Sequence, residues 1–209
     1  MKTLPSEISI REFLAAVASA DEAHGAVSAA AVAGGIGVSL LAMVAALPKT
    51  RSDSAADRTE LINAATALTQ VQEELIETIE TETAVRIFAA RNMPQASEPQ
   101  RVERQAAIQL ALRAAADVPL EVMRLAVRGL KLAETVAAHS TRAASADVQL
   151  GVALLHAAFS GARANLEGKL SSLTDAPYST SVVDELATLS EETTTAMRAA
   201  ESFLRVPLA

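Results

Sequence analysis

The chain has 209 residues, 18 basic against 25 acidic side chains and a net charge of −7; half of it is apolar, yet only 2% is aromatic. The lack of cysteine excludes disulfide frameworks, thiolate metal sites and cysteine nucleophiles and gives secretion no support, while scattered basic residues and a single tyrosine, Tyr178, exclude the charge footprint and stacking platform of a nucleic-acid binder. The length suits one domain over residues 1–209, and an apolar share carried by alanine, leucine and valine predicts helices throughout.

Ser6 reads as the N-cap of a short amphipathic helix carrying Ile10, Phe13, Leu14 and Val17 to about Ser19. A polar turn, Ala20 to Gly25, leads into a charge-free stretch, Gly25 to Leu47, that is long enough to cross a bilayer. Its small residues, the cluster Gly34, Gly35 and Gly37, and the missing aromatic belt predict instead a helix buried inside protein, from about Ala26 to Leu47 and stopped by Pro48. It also starts too late for a signal peptide, so no membrane attachment and a cytoplasmic location are expected.

After the polar turn Lys49 to Asp53, no proline or glycine interrupts Ser54 to Arg91, and Leu61, Leu68 and Leu75 recur every seven residues. This predicts one helix, roughly 57 Å long at 1.5 Å per residue. Asn92 to Gln100, with Pro94 and Pro99, reads as a loop. A helix from near Arg101 to about Asp117 is expected to break or kink at Pro119, with another covering about Leu120 to Ala138. Ser145 or Asp147 starts the next helix, with Val148, Val152, Leu155 and Phe159 inward; after a loop from Ser171 to Thr180, Val183, Leu186, Leu189, Met197 and Phe203 mark the last. The fold class is all-α, a bundle of about seven helices around a buried small-residue helix. Alanine-rich stripes bury little area per turn, at roughly 25 cal/mol per Å², so a homodimer is expected.

No phosphate-cradling glycine loop, paired-histidine metal spacing or nucleophile elbow is present, and no metal is expected. His139 and His156 read as surface or satisfied core histidines; for His24 that reading and a site role stand side by side. Asp147 is either a first-turn acid favoured by the helix dipole or a carboxylate at a cleft that can act as base. Asn165, among Gly161, Ala162, Ala164 and Gly168, is either a helix-to-helix hydrogen bond or a ligand contact, and Glu80 reads as part of a solvated face.

Phe13-Leu14, Ala18-Ser19, Ser28 to Gly34 and Met43-Val44 form one block, and Ala107-Ile108-Gln109, Ala111-Leu112, Asp117-Val118-Pro119-Leu120, Leu132-Ala133-Glu134, Asp147 and Asn165 a second. In order and spacing these resemble the cyclodeaminase and methenyltetrahydrofolate cyclohydrolase family over the whole chain. The resemblance implies an all-α homodimer with its site near the subunit interface, a reduced folate as substrate and no bound cofactor. The reaction would be hydrolysis of 5,10-methenyltetrahydrofolate to 10-formyltetrahydrofolate or release of ammonia from 5-formiminotetrahydrofolate.

Carried over residue by residue, the resemblance implies that Asp147 and Glu80 supply acid or base function, that Asn165 orients the ring, and that Lys49, Arg51 or Lys169 meets the glutamate tail. Gly25, Ser28 and His24 lie at the substrate. The chain departs from the family pattern in places. Its glycine loop is reduced to Gly25 within Glu22 to Val27, Ala46 replaces an asparagine, and the lysine run is reduced to Lys49 and Arg51. Ser140-Thr141 replaces glycine-asparagine, Ala146 a serine and Glu80 an aspartate. Three readings follow: a divergent folate enzyme, a catalytically degenerate paralogue that binds folate or another small molecule and regulates, or the same fold acting on another substrate with His24 as a new polar group.

Overall fold

A computed structural model describes residues 8–19, 25–79 and 83–204. Among them are seven α-helices and no strand: α1 Ile10–Ala18, α2 Ala26–Ala46, α3 Ala55–Ile79, α4 Thr83–Arg91, α5 Glu98–His139, α6 Ser145–Leu170 and α7 Ala176–Leu204, with a 3₁₀ turn at Arg142–Ala144. The all-α bundle expected from composition is the observed fold. Side-chain caps place several boundaries. Ser9, not Ser6, caps α1, accepting from the Glu12 N–H while Glu12 reaches back to the Ser9 N–H at 2.8 Å; Ser6 lies outside the described residues. Ser97 and Gln100 make the same reciprocal box ahead of α5, so Pro99 falls in its first turn, where a missing N–H costs nothing, rather than in a loop. Asp175 accepts the Tyr178 N–H at 3.1 Å and starts α7 earlier than the expected Thr180 boundary.

The stretch 54–91, expected as one helix, is described as α3 to Ile79 and α4 from Thr83, residues 80–82 lying outside the described residues. α4 packs on α5, with Arg104 Nε donating to the Arg91 carbonyl at 3.0 Å. One expectation is corrected: Pro119 does not break α5, which runs 42 residues through it. Proline forfeits one backbone bond, but its ring is buried beside Ala115, Ala116, Leu120, Val122 and Met123, and burial on both sides holds the helix together.

The core is one cluster drawn from α2, α3, α5, α6 and α7. At its centre lies α2, flanked by antiparallel α3 and α6. The α6 register is set by glycines: Gly161 meets Ala30, Gly34 meets Ala158, and Gly37 meets Gly151 so closely that a Cβ on Gly37 would lie 2.9 Å from the Gly151 carbonyl oxygen. The α3 register is set by Leu75 over Gly34, by Gln72 donating to Ser39 Oγ at 2.7 Å, and by Arg58 donating to the Ala45 carbonyl at 2.7 Å and to that of Leu47. Val38, Leu41, Val44 and Ala45 are fully buried as a result. The opposite ridge of α2 stays uncovered, with Ile36 51% and Met43 46% exposed.

Candidate functional site

Antiparallel packing sorts the candidate residues to two ends of α2, roughly 32 Å apart for 21 residues at 1.5 Å each. At the N-terminal end, Gly25 is the N-cap of α2, with no side-chain cap and open space where a Cβ would stand, and Ser28 is half-buried. Because Gly161 lies against Ala30, the later turns of α6 arrive here, bringing Asn165 and, in the last turn, Lys169. Asn165 Oδ1 is buried with no hydrogen-bond partner among the described residues. A buried acceptor left unpaired is costly. His24 and Glu80 lie outside the described residues.

At the C-terminal end, the turn after α2 is pinned to the end of α5. Thr50 forms an isolated antiparallel bridge with Ser140, and the Arg51 N–H donates to the His139 carbonyl at 2.8 Å. The Arg51 guanidinium caps the same helix, donating to the carbonyls of Ala137 at 2.7 Å and Ser140 at 3.2 Å, and lies 6.0 Å from the Phe203 ring centroid. It is therefore engaged by protein. Lys49 is exposed and makes no ion pair among the described residues. Asp147, half-buried in the first turn of α6, stabilises a start that lacks any side-chain cap. Thr50, 8% exposed, leaves its Oγ1 unpaired beside this end.

One cluster here escaped the sequence reading. Asp57 accepts the Ser52 N–H at 3.2 Å and the Ser52 hydroxyl at 2.6 Å on Oδ2, and faces His139 Nδ1 at 2.9 Å with Oδ1. The Ser52 hydroxyl, followed by His139, holds the carboxyl down to about 2 against an ordinary 3.8. Only the local part was legible, a Ser54-x-x-Asp57 helix start in which Ser54 Oγ accepts the Asp57 N–H at 3.1 Å; His139 is 82 positions away. A folded-state value below the unfolded one means that this carboxylate stabilises the fold above about pH 4 and that its contribution disappears as pH falls towards 2. Thermal unfolding at pH 5, 3 and 2 should therefore show a steeper acid loss in the parent than in Asp57→Asn. Parallel slopes would contradict the assignment.

Two surface grooves lie elsewhere. One, of about 580 Å³ between α3 and α5, is lined by Glu74, Glu77, Asp117, Glu121 and Arg124 among others. Its charges largely satisfy one another: Glu74 pairs with Arg128, Arg124 bridges Glu121 and Glu185, and Asp117 accepts the Tyr178 hydroxyl at 2.6 Å. The other, of about 470 Å³ between α6 and α7, is lined in part by Gln149, His156 and Glu201. Neither contains a residue carried over from the sequence.

The sequence profile described as formiminotransferase-cyclodeaminase matches residues 9–188. The chain belongs to the formiminotransferase-cyclodeaminase family. Its fold is similar to that of formiminotetrahydrofolate cyclodeaminase from Thermotoga maritima, with a TM-score of 0.84 and 20% identity over 95% of this chain and 96% of that one. No curated protein sequence matches. Within this formiminotransferase-cyclodeaminase chain, the first block of the resemblance falls on α1 and α2, and the second on α5 and α6. α2 and α6 meet through the contacts of Gly34 with Ala158 and of Gly161 with Ala30. The substitutions are local: Ala46 closes α2 and Ala146 precedes Asp147 in the first turn of α6.

Proposed function

We propose that this protein is a folate-processing enzyme of one-carbon metabolism acting as a cytoplasmic homodimer. It hydrolyses 5,10-methenyltetrahydrofolate to 10-formyltetrahydrofolate or releases ammonia from 5-formiminotetrahydrofolate. The observation that carries this reading is the family match over residues 9–188. Either reaction requires a positioned proton donor or acceptor at the one-carbon unit, and the half-buried carboxylate of Asp147 is the group we assign to it. Asn165, with an unpaired Oδ1, orients the ring by accepting from a pterin N–H. Lys49 offers an exposed cation to the glutamate tail.

The proposed dimer is supported by the exposed ridge of α2. Its own chain buries only 44% of the most apolar window of this helix, leaving Ile36 and Met43 to be covered. Ile36 stands at the midpoint of α2. A two-fold axis beside it would set the Gly25 end of one protomer against the Lys49 end of its partner and assemble each site from both.

The test is the absorbance decay of 5,10-methenyltetrahydrofolate with purified protein and with Asp147→Asn. The parent should accelerate decay over buffer and the variant should lose about 100-fold or more in kcat. Ammonia release from the formimino substrate distinguishes deamination. No acceleration, together with no folate binding by calorimetry, refutes the proposal. Binding without turnover supports the second reading, a catalytically degenerate folate-binding regulator. That reading is favoured by the reduced glycine loop, by Ala46 and Ala146 in place of polar residues, and by an Arg51 already engaged with carbonyls.

A further inference from the structure

The paired His139 and Asp57 join the last residue of α5 to the first turn of α3, at the end of α2 that carries Lys49 and Asp147. An interhelical tie needs one bond; this arrangement has more. Both carboxylate oxygens of Asp57 are occupied, Oδ2 by the Ser52 N–H and hydroxyl and Oδ1 by the imidazole, so the carboxylate cannot rotate away from the ring. The backbone carrying the ring is also held, because the His139 carbonyl accepts from the Arg51 N–H at 2.8 Å. A carboxylate facing Nδ1 keeps the proton there and leaves Nε2 as the free lone pair of the neutral ring. Nε2 has no hydrogen bond among the described residues, and the side chain is 32% exposed, at the boundary of solvent. An oriented ring whose second nitrogen is open is the arrangement that proton transfer needs.

We propose that His139, oriented by Asp57, is a proton-transfer group of this site, with Nε2 as the exchanging atom. The proposal rests on the folate reading above. In the hydrolysis, a water oxygen bonds to the carbon between N5 and N10 while one of its protons passes to Nε2. The C–N5 bond then breaks as the C=O bond forms, the electron pair stays on N5, the remaining hydroxyl proton ends on N5, and the proton on Nε2 leaves to solvent. In the deamination, N10 bonds to the carbon of the protonated formimino group and passes its proton to Nε2; Nε2–H then returns that proton to the outgoing NH2, and the C–N bond breaks with its electron pair leaving on ammonia. His139 serves alongside Asp147, the acid or base assigned above. The charged side chains on the elements that converge here include Asp57 and Arg58 on α3, Lys49, Arg51 and Asp53 on the turn, Arg142 on the 3₁₀ turn, Asp147 on α6 and Glu201 on α7.

The experiment measures kcat and KM for methenyltetrahydrofolate from pH 5 to 9 in the parent, His139→Ala and Asp57→Asn. The expected result is a loss of about 100-fold or more in kcat for His139→Ala with KM changed less than about threefold, loss of the acid limb of the kcat profile, and partial recovery with added imidazole. Asp57→Asn should lose about tenfold or more, because an amide at this position presents the wrong partner to Nδ1. It also carries the test if His139→Ala fails to fold. An active parent whose foldable variants keep kcat within threefold overturns the dyad alone. A parent with neither turnover nor folate binding overturns the folate reading and the proposal with it.

Discussion

Gly37→Leu is expected to lower the melting temperature by about 6–12 °C, corresponding to about 3 kcal/mol at the 2–4 °C per kcal/mol usual for a chain of this size. A Cβ alone at this position would stand 2.9 Å from the Gly151 carbonyl oxygen, 3.1 Å from Leu155 Cγ and 3.3 Å from Leu154 Cβ. The first contact is backbone and cannot rotate away, so α2 and α6 must move apart. That separation spreads to Leu41, whose side chain packs on Gly151, and to Gly129, which approaches both Val38 and Leu155. A gain of about 1 kcal/mol in helix propensity offsets only part of the clash. Gly168→Ala provides the contrast: nothing lies within 4 Å of its Cβ, so the propensity gain should appear undiminished as a small rise. Circular dichroism melts check both. A Gly37→Leu protein melting within 2 °C of the parent would show that the helices do not touch there.

The second large effect concerns the uncovered ridge of α2. Ile36→Glu is expected to convert the proposed dimer to a species of 21.7 kDa in sedimentation velocity and to abolish turnover, while leaving the melting transition of the separated chain cooperative. Ile36 is half-exposed in the single chain, so a carboxylate is tolerated there before association. At a two-fold axis the same substitution buries two like charges. This costs on the order of 4 kcal/mol or more and weakens association roughly 1,000-fold. Activity should fall with it, because the Asn165 end and the Asp147 end of one chain are too distant to serve one folate. A variant that remains a dimer with full activity would remove this ridge from the interface.

Much of the bundle was legible from local signals. The charge-free segment from Ala26 declared α2 within one residue of its observed end, and Val148, Val152, Leu155 and Phe159 named the inward face of α6. These succeed because periodicity and composition act over a few residues and report burial directly. The errors arose where a local rule met a distant contact. Pro119 reads as a breaker, yet burial carries α5 through it. Ser9 and Ser97 show the reverse case, in which a side chain three residues ahead gave the boundary and only the wrong serine or the nearby proline was weighed.

For the proposed site, the family blocks singled out Asp147, Asn165 and Lys49 as candidates. The tertiary structure alone decided that they divide between the two ends of α2, that Arg51 is taken up by the carbonyls of α5, and that Asp57 meets His139 across 82 positions. The physical reason is that helix direction and register are set by the close approach of Gly34, Gly37, Gly151 and Gly161 with their facing residues. Such a fit belongs to two surfaces at once and is written in neither segment alone.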